Sequence, residues 1–419
     1  MANYQPQRGT YDAYYGDALN IEKVQKTLKE VALSYAYFPI HTPIYESTEL
    51  FTRSAGESSD IVTKEMFDFL DKGGRHISLR PEVTAGVMRA IVTNKLYATR
   101  DLPLKLQYCG PAFRYDRPQA GRYRQFNQFG VEQVGVTTPI EDAETILLGY
   151  ECLKKIGFPH IILKINSIGD NESRDNYRKA LQDYFKDKID SMCPDCRHRY
   201  ETNPLRILDC KVPSDQELVK DAPKMGNYLN EASQARFNEV LRILDLNNVE
   251  YQIDPTLVRG LDYYSHVVFE FHFISPEGTN LGAVGGGGHY DNLVKEVGGP
   301  ELSSVGFAFG IERLNTLLKE INPDSYELDK LDAYVVTLGE VKDKALEIAT
   351  LLRREGLKID LGYTNKSMKA QIKIALRKNA KYMIIIGEDE VKSEMYQLKN
   401  IETQEQVSLS LEDIISRLK

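Results

Sequence analysis

Between Phe113 and Glu132 the sequence reads FRYDRPQAGRYRQFNQFGVE, where Arg114, Arg117, Arg122 and Arg124 fall in eleven residues offset only by Asp116. Arginine presents a planar, permanently charged fork that matches phosphate oxygens. Arg114 on one strand and Arg122 just past a loop carrying Pro118 and Gly121 could converge on one polyphosphate. A solvated basic hairpin is the competing reading of the same residues. Farther along the second strand, Gln128, Gly130 and Glu132 share one face and Phe129 and Val131 the other, because side chains alternate with period two. A polar face with a glycine on a strand inside a large domain suggests a lined pocket.

Four more segments carry candidate chemistry. In LRPEVTAG, Leu79–Gly86, Glu82 and Thr84 stand where a carboxylate could hold an ammonium group, or could cap a helix. In LVRGLDYY, Leu257–Tyr264, Arg259 beside Gly260 could approach a phosphate. Tyr263 and Tyr264 could wall an aromatic pocket, or could simply pack in a turn. GTNLGAVGGGGHYDNL, Gly278–Leu293, contains a glycine run that lets backbone come close to a ligand or another chain. GFAFGIERL, Gly306–Leu314, puts Arg313 near a helix start, where a nucleotide could meet it. No GxxxxGK[ST] phosphate loop is present, and Gly285–Gly288 does not open a helix as a dinucleotide fingerprint does. NKSMKA at Asn365–Ala370 matches a class I synthetase signature only superficially.

The elements that must position these residues follow from periodicity. Ile21, Val24, Leu28, Val31, Ala32 and Tyr35 predict an opening amphipathic helix. Phe38–Tyr45 and His76–Leu79 read as strands. Leu104–Tyr115 and Arg124–Val136 read as an antiparallel hairpin, followed by a helix over about Ile140–Lys155. Pro159 to Gln252, holding three cysteines, reads as a mostly helical insertion. Strand pattern returns at Tyr264–Phe273 and Leu281–Val284, then a Gly-rich turn, then a helix over about Phe309–Glu320. Pro323–Ser325 looks like a linker. Beyond it, strand Ala333–Thr337, helix Lys342–Arg354, strand Lys358–Asp360, helix Ser367–Asn379 and strand Tyr382–Ile386 predict a small α/β domain. Residues 1–325 are thus expected to form one domain with an insertion at about 170–250, and residues 326–419 a second.

The chain has 419 residues, 42% hydrophobic and 27% charged. That length supports a sizeable core in two or three domains. No run reaches the roughly 18–20 apolar residues that a membrane span needs, and MANYQPQRGTYDAYYGD lacks signal-peptide order, so a cytoplasmic location is expected. Net charge is −8, which argues against nucleic-acid binding through bulk charge and leaves room for a local basic patch. Five cysteines are too sparse for a disulfide framework.

Taken in order, these segments resemble the class II aminoacyl-tRNA synthetases, and among them the histidine-specific branch, over essentially the whole chain from RGTYD at Arg8. FRYDRPQAGRYRQFNQFGVE looks like motif 2 and VGFAFGIERL like motif 3. LRPEVTAG, LVRGLDYY and the GGGG segment look like the histidine-specific signatures. The resemblance implies an α+β catalytic domain, an antiparallel class II sheet flanked by helices, with a helical insertion and a C-terminal α/β anticodon-binding domain. It implies attack of the histidine carboxylate on ATP, with Mg²⁺ on the phosphates, then acyl transfer to the terminal ribose of tRNA(His).

Carried onto this sequence, Arg114, Arg122, Arg313 and Glu312 would bind ATP, with Arg114 and Arg259 serving catalysis at the α-phosphate. Glu82, Thr84, Gln128, Glu132, Arg259, Tyr263, Tyr264 and Tyr290 would bind histidine. Arg117 and Gln119 would meet the tRNA acceptor end, and Lys366 and Lys373 the anticodon arm. Class II enzymes pair through motif 1, here near Pro39–Glu46, so a homodimer is expected. The sequence departs from the family pattern at Gln7, at Tyr14 and Tyr15, at Val83 where glycine is usual, and at His289 where arginine is expected. No metal other than Mg²⁺ is assigned. Cys193, Cys196 and Cys210, with His198 nearby, have zinc-like spacing in a segment that varies among related proteins. Lys366, Lys369, Lys373 and Arg377 fall on one helical face, and Met368, Ile372 and Leu376 on another. A non-catalytic histidine-sensing relative, the regulatory subunit of ATP phosphoribosyltransferase, is the alternative. Such proteins tend to lose the LVRGLDYY arginine and the C-terminal domain.

Overall fold

The computed structural model describes residues 4–56, 59–118, 121–275, 278–321, 330–363 and 366–419. Two compact units emerge, Met1–Asp12 with Ile21–Pro323, and Ala13–Asn20 with Asp324–Lys419. Among the described residues no helix is long and apolar enough to cross a membrane. The linker expected at Pro323–Ser325 lies outside the described residues.

In chain order the elements up to the end of the first unit are α1 (Gly16–Ser34), β1 (Phe38–Pro39), β2 (Tyr45–Ser47), α2 (Thr48–Ala55), β3 (Phe67–Leu70), β4 (His76–Leu79), α3 (Thr84–Thr93), α4 (Leu96–Thr99), β5 (Leu104–Phe113), β6 (Gln125–Val134), α5 (Pro139–Ile156), β7 (Ile161–Ser167), α6 (Asn171–Phe185), α7 (Pro194–Thr202), α8 (Pro213–Val219), α9 (Glu231–Leu246), β8 (Tyr251–Ile253), β9 (Ser265–Ile274), β10 (Asn280–Tyr290), α10 (Leu293–Glu296), β11 (Ser304–Gly310) and α11 (Ile311–Ile321). Eight strands form one sheet in the order β1-β5-β6-β11-β10-β9-β7-β8, and β2, β4 and β3 form a small second sheet. The six inner strands pair antiparallel, while β1 and β8 add parallel edges.

One face of the large sheet is the core. Phe129 and Val131 of β6, Phe269, Phe271 and Phe273 of β9, and Phe307 and Phe309 of β11 pack there with apolar residues of α1, α5, α9 and α11. The period-two rule then sends the intervening polar residues to the opposite face. Helix starts follow local chemistry. α5 opens on Thr138, Pro139 and Glu141, and Glu141 accepts the Thr138 N–H at 3.1 Å in a capping box.

The predicted hairpin is present as β5 and β6, and Arg114 falls one residue beyond the β5 strand rather than on it. The strand expected over Phe38–Tyr45 is two short pieces, because Pro39 and Pro43 cannot donate to a ladder. The expected Gly-rich turn is instead part of β10: Gly285–Gly288 pair with β9 on one side and β11 on the other. A Cβ on Gly286 would stand 3.0 Å from Arg259 Nη1 and closer still to the Phe269 carbonyl. The run lets neighbouring strands and side chains approach a strand that has no side chains of its own.

The second unit contains β12 (Leu331–Thr337), α12 (Lys342–Arg354), β13 (Ile359–Leu361), α13 (Met368–Arg377), β14 (Ala380–Ile386), α14 (Glu388–Ser393), β15 (Tyr396–Asn400), β16 (Gln406–Leu409) and α15 (Leu411–Leu418). Its sheet runs β13-β12-β14-β15-β16. The first three strands are parallel, as the βαβαβ rhythm predicts, and the last two extend the sheet antiparallel. On α13 the inward residues are Gln371 and Ala375, with Ile372 and Ile374 partly covered. Met368 and Leu376, expected on the apolar face, are 40% and 51% exposed. Gln371 takes the inward place because its amide bonds both the N–H and the carbonyl of Thr337.

Candidate active site

The polar face of β6, β9, β10 and β11 opens into a cavity of about 340 Å³, a size suited to small-molecule ligands. Arg114, Arg122, Arg259 and Arg313 all stand on its wall. Arg114 donates from Nε to the Pro81 carbonyl at 2.8 Å and lies over the Phe126 ring. Arg313 donates to the Leu281 carbonyl, and its guanidinium is pushed below its ordinary pKa by burial and by the neighbouring charge of Arg122. Two cations held close on a concave wall favour a polyanion between them. Arg259 pairs with Glu270, whose other oxygen faces His272 Nε2 at 3.1 Å. Burial opposes the charge on Arg259, but Glu270 overrides it and holds its pKa above normal. Arg259 Nε is buried with no partner.

A carboxylate pair occupies another stretch of the wall. Glu82 accepts from the Thr84 and Ala85 N–H groups at 2.6 and 2.8 Å, so it caps α3 while lining the cavity. Glu82 therefore answers the first N–H groups of α3 and still faces the cavity. Glu132 is 2% exposed and accepts from Thr84 Oγ1 at 2.7 Å, from the Tyr108 hydroxyl at 3.3 Å and from the Tyr290 hydroxyl. Burial, with the Glu82 charge nearby, pushes Glu132 up to about 8, against the hydroxyls that favour its ionised form. A Cβ on Gly306 would collide with Glu132, so glycine there leaves room for the carboxylate. Tyr290 meets Tyr263 and Tyr264 edge-on beside it, with ring centroids 5.3 and 6.3 Å apart, and Tyr263 and Tyr264 lie tilted against each other at 4.6 Å. Gln128 lines the same cavity, and its Oε1 is buried without a partner. Two orphaned polar atoms, on Gln128 and Arg259, are the kind of unsatisfied groups a bound ligand completes.

Not every expected residue reaches the cavity. Glu312 does not line it; its carboxylate accepts the Asn127 backbone and side-chain N–H groups at 2.8 and 2.9 Å and ties α11 to β6. Arg117 is exposed on the loop, and Gln119 lies outside the described residues. Lys366 and Lys373 are exposed in the second unit. Cys193, Cys196 and Cys210 gather with Asp215 rather than with His198, which is exposed.

Three contributors went unnamed in the sequence. Glu270 is readable in hindsight from VVFEFHF, where Glu270 and His272 interrupt Phe269, Phe271 and Phe273 with strand alternation. Tyr108 faces Gly130 across β5 and β6, and its hydroxyl occupies the space a Cβ on Gly130 would need. Phe126, under Arg114, is an ordinary strand aromatic that no spacing distinguishes.

Residues 9–314 match the family model described as histidyl-tRNA synthetase, and residues 332–419 match that of an anticodon binding domain. The chain belongs to the histidyl-tRNA synthetase family. It is 47% identical over 413 residues to histidine–tRNA ligase 1 of Shouchella clausii (strain KSM-K16), covering 98% of this chain and 97% of the relative. It is 46% identical over 423 residues to histidine–tRNA ligase of Bacillus subtilis (strain 168), covering 99% and 98%. The crystal structure of apo histidyl-tRNA synthetase from S. aureus superposes with a TM-score of 0.83 at 36% identity, over 99% of this chain and all of that one.

The two departures nearest the cavity have physical explanations. Val83 is 2% exposed, packs in an apolar cluster with Val87 and Ile91, and does not line the cavity. His289 is buried with Nδ1 2.7 Å from Asp142 and Nε2 3.1 Å from Asp291. Burial opposes its charge, but the carboxylates outweigh it and raise His289 to about 9. The charged imidazole is thereby held between two carboxylates.

Proposed function

We propose that the chain is a histidine–tRNA ligase that activates histidine with ATP and transfers it to the 3′ end of tRNA(His). The observation that carries this reading is one cavity lined by four arginines and by the buried pair Glu82 and Glu132. Guanidiniums suit a nucleotide triphosphate, and buried carboxylates ringed by tyrosine hydroxyls suit an amino acid that is cationic at its ammonium and polar at its ring.

Arg114 and Arg259 hold the α-phosphate, and Arg122 and Arg313 hold the far end of the triphosphate. Arg259 also steers the histidine carboxylate toward phosphorus, and its fixed charge meets the charge that grows there. Glu82, Thr84, Gln128 and Glu132 receive the ammonium and imidazole, with Tyr263, Tyr264 and Tyr290 closing around the ring. No enzyme nucleophile is required: carboxylate displaces pyrophosphate, and the terminal ribose hydroxyl of tRNA then displaces AMP. Mg²⁺ takes oxygen ligands and usually keeps several waters, bound by one or two carboxylates plus phosphates. Asp116 is a wall carboxylate of that kind, and Mg²⁺ held there would neutralise the triphosphate.

Arg117 and Gln119 meet the acceptor end, and Lys366 and Lys373 the anticodon arm. No described acidic residue forms an ion pair with Lys366, Lys369, Lys373 or Arg377, and Tyr363 beside them is 66% exposed, a surface suited to RNA phosphates and bases. The chain works as a cytoplasmic homodimer. Leu33, Phe38, Ile44, Tyr45 and Leu70 are 43% to 68% exposed around the motif 1 segment, an apolar face that a second copy would cover. The histidine-sensing alternative is disfavoured by the presence of Arg259 and the anticodon-binding domain.

Histidine-dependent exchange of labelled pyrophosphate into ATP, followed by charging of tRNA(His), tests the assignment. Folded protein that shows no exchange would refute it.

A further inference from the structure

The insertion between β7 and β8 gathers three thiols and a carboxylate from the stretch Cys193–Asp215. Cys193 precedes α7, and its Sγ accepts the Cys196 N–H at 3.4 Å. Cys210 follows the turn Pro204–Asp209, and its Sγ accepts the Val212 N–H at 3.5 Å. Asp215 lies in the first turn of α8 and accepts the Cys193 N–H at 3.0 Å. Four atoms, one from each residue, lie within 4.8 Å of one another.

Two of these separations match the edges of a tetrahedron around a metal. Zinc–sulfur bonds of about 2.3 Å and zinc–oxygen bonds of about 2.0 Å give tetrahedral edges of roughly 3.8 Å between sulfurs and 3.5 Å between sulfur and oxygen. Here Cys193 Sγ and Cys210 Sγ are 3.9 Å apart, and Cys210 Sγ and Asp215 Oδ2 are 3.4 Å apart. All three cysteines are free. Asp215 is 1% exposed, and no described Lys, Arg or His pairs with it. A buried carboxylate with no cation is costly unless another charge compensates it.

We propose that Cys193, Cys196, Cys210 and Asp215 form a closed, four-coordinate structural zinc site. Three thiol protons pass to solvent as the metal binds, and the sulfurs and one carboxylate oxygen fill its coordination. The site would pin the loops of this module to an apolar core that includes Tyr177, Leu181, Phe185 and Ile207, as structural metals do in small domains. The same module reaches the catalytic unit through Arg199 and Arg206, which pair with Asp60, and through Asn203, which donates to Asp262 at 2.8 Å. Asp262 sits three residues beyond Arg259, so the zinc module braces the loop that carries this arginine.

The test uses the full chain, untagged and purified under reducing conditions without chelator. Elemental analysis should find one zinc per chain. Replacing it with cobalt should give tetrahedral visible bands and an intense near-ultraviolet thiolate band. Cys196→Ser should lose the stoichiometric metal. Should that variant misfold, Asp215→Asn keeps the side-chain shape. Losing this direct ligand should weaken zinc at least by the roughly 10–100-fold that loss of a supporting partner costs. Folded wild-type protein with no stoichiometric zinc and no thiolate–cobalt band, or with a Cys193–Cys210 disulfide by mass spectrometry, would overturn the proposal.

Discussion

Replacing Arg259 with histidine separates a catalytic arginine from a structural one. Arg259 reaches the cavity with one Nη on Glu270 and an unpartnered, buried Nε. A shorter imbalanced ring at this position cannot both answer Glu270 and reach a phosphate oxygen. Losing one preorganised group on the developing charge costs about 10² to 10³ in rate, or about 2.7–4 kcal/mol. A second loss falls on the fold, because Glu270 keeps only His272. That loss is expected to be modest, since the Arg259 and Glu270 side chains retain 23% and 22% exposure and water can partly answer the carboxylate. Pyrophosphate exchange at saturating ATP and histidine should therefore fall by two to three orders of magnitude, with a melting temperature near that of the wild type. Glu270→Gln serves as the control: it removes the ion pair but leaves Arg259 in place, so exchange should fall far less. Near-normal exchange in Arg259→His would refute the role of this arginine, and an equal loss in Glu270→Gln would show that the pair acts only by holding the loop.

Three further outcomes follow from the same geometry. Glu132, raised to about 8, is largely protonated at pH 7, and a cationic ammonium beside it favours the ionised form; calorimetry in buffers of different ionisation enthalpy should detect proton release on histidine binding in the wild type and none in Glu132→Gln, and equal release in both would refute the contact. His289, raised to about 9 and facing Asp142, Asp291, Arg236 and His266, contributes stability that is full below its unfolded pKa and is lost as pH rises through about 9; the melting-temperature gap between wild type and His289→Gln should narrow over that window, and a gap independent of pH would exclude a charged imidazole. Lys366→Ala combined with Lys373→Ala should raise the tRNA KM while leaving pyrophosphate exchange unchanged, and equal loss of both activities would contradict an anticodon-side role.

How much of this was legible in the sequence depended on which physical signal each residue carries. Hairpin β5–β6 was readable because alternation and a Pro/Gly loop are local signals, and the wall positions of Gln128 and Glu132 followed from the same alternation. Glu312 follows Ile311 and precedes Arg313, yet consecutive helix residues point in different directions, so Arg313 reaches the cavity while Asn127 engages the Glu312 carboxylate. The glycine run read as a turn because glycine is the usual residue of turns; only the register against β9 and β11 shows a strand whose neighbours fill the missing side chains. Asp215 was invisible as a partner of the cysteines, since its closeness depends on the turn that carries Cys210 back toward α7. The antiparallel end of the second unit was missed because Tyr396 and Leu398 bury only a short alternating stripe.

The same distinction explains why His289 could not be read from its residue type. A histidine in place of arginine looks like a lost charge when only the side-chain pKa of free imidazole, about 6.5, is considered. Its charge depends instead on Asp142, brought from α5, and on Asp291, two residues beyond it. Arg236 also reaches Asp142, at 2.6 Å, so the carboxylate answers two cations at once. Next in the chain, Tyr290 donates to Glu132 in the cavity. A neutral residue at 289 would leave Asp142 with Arg236 and would remove one anchor from the strand end that aims Tyr290. The charge at this position therefore supports the cavity through strand position, since His289 does not line it.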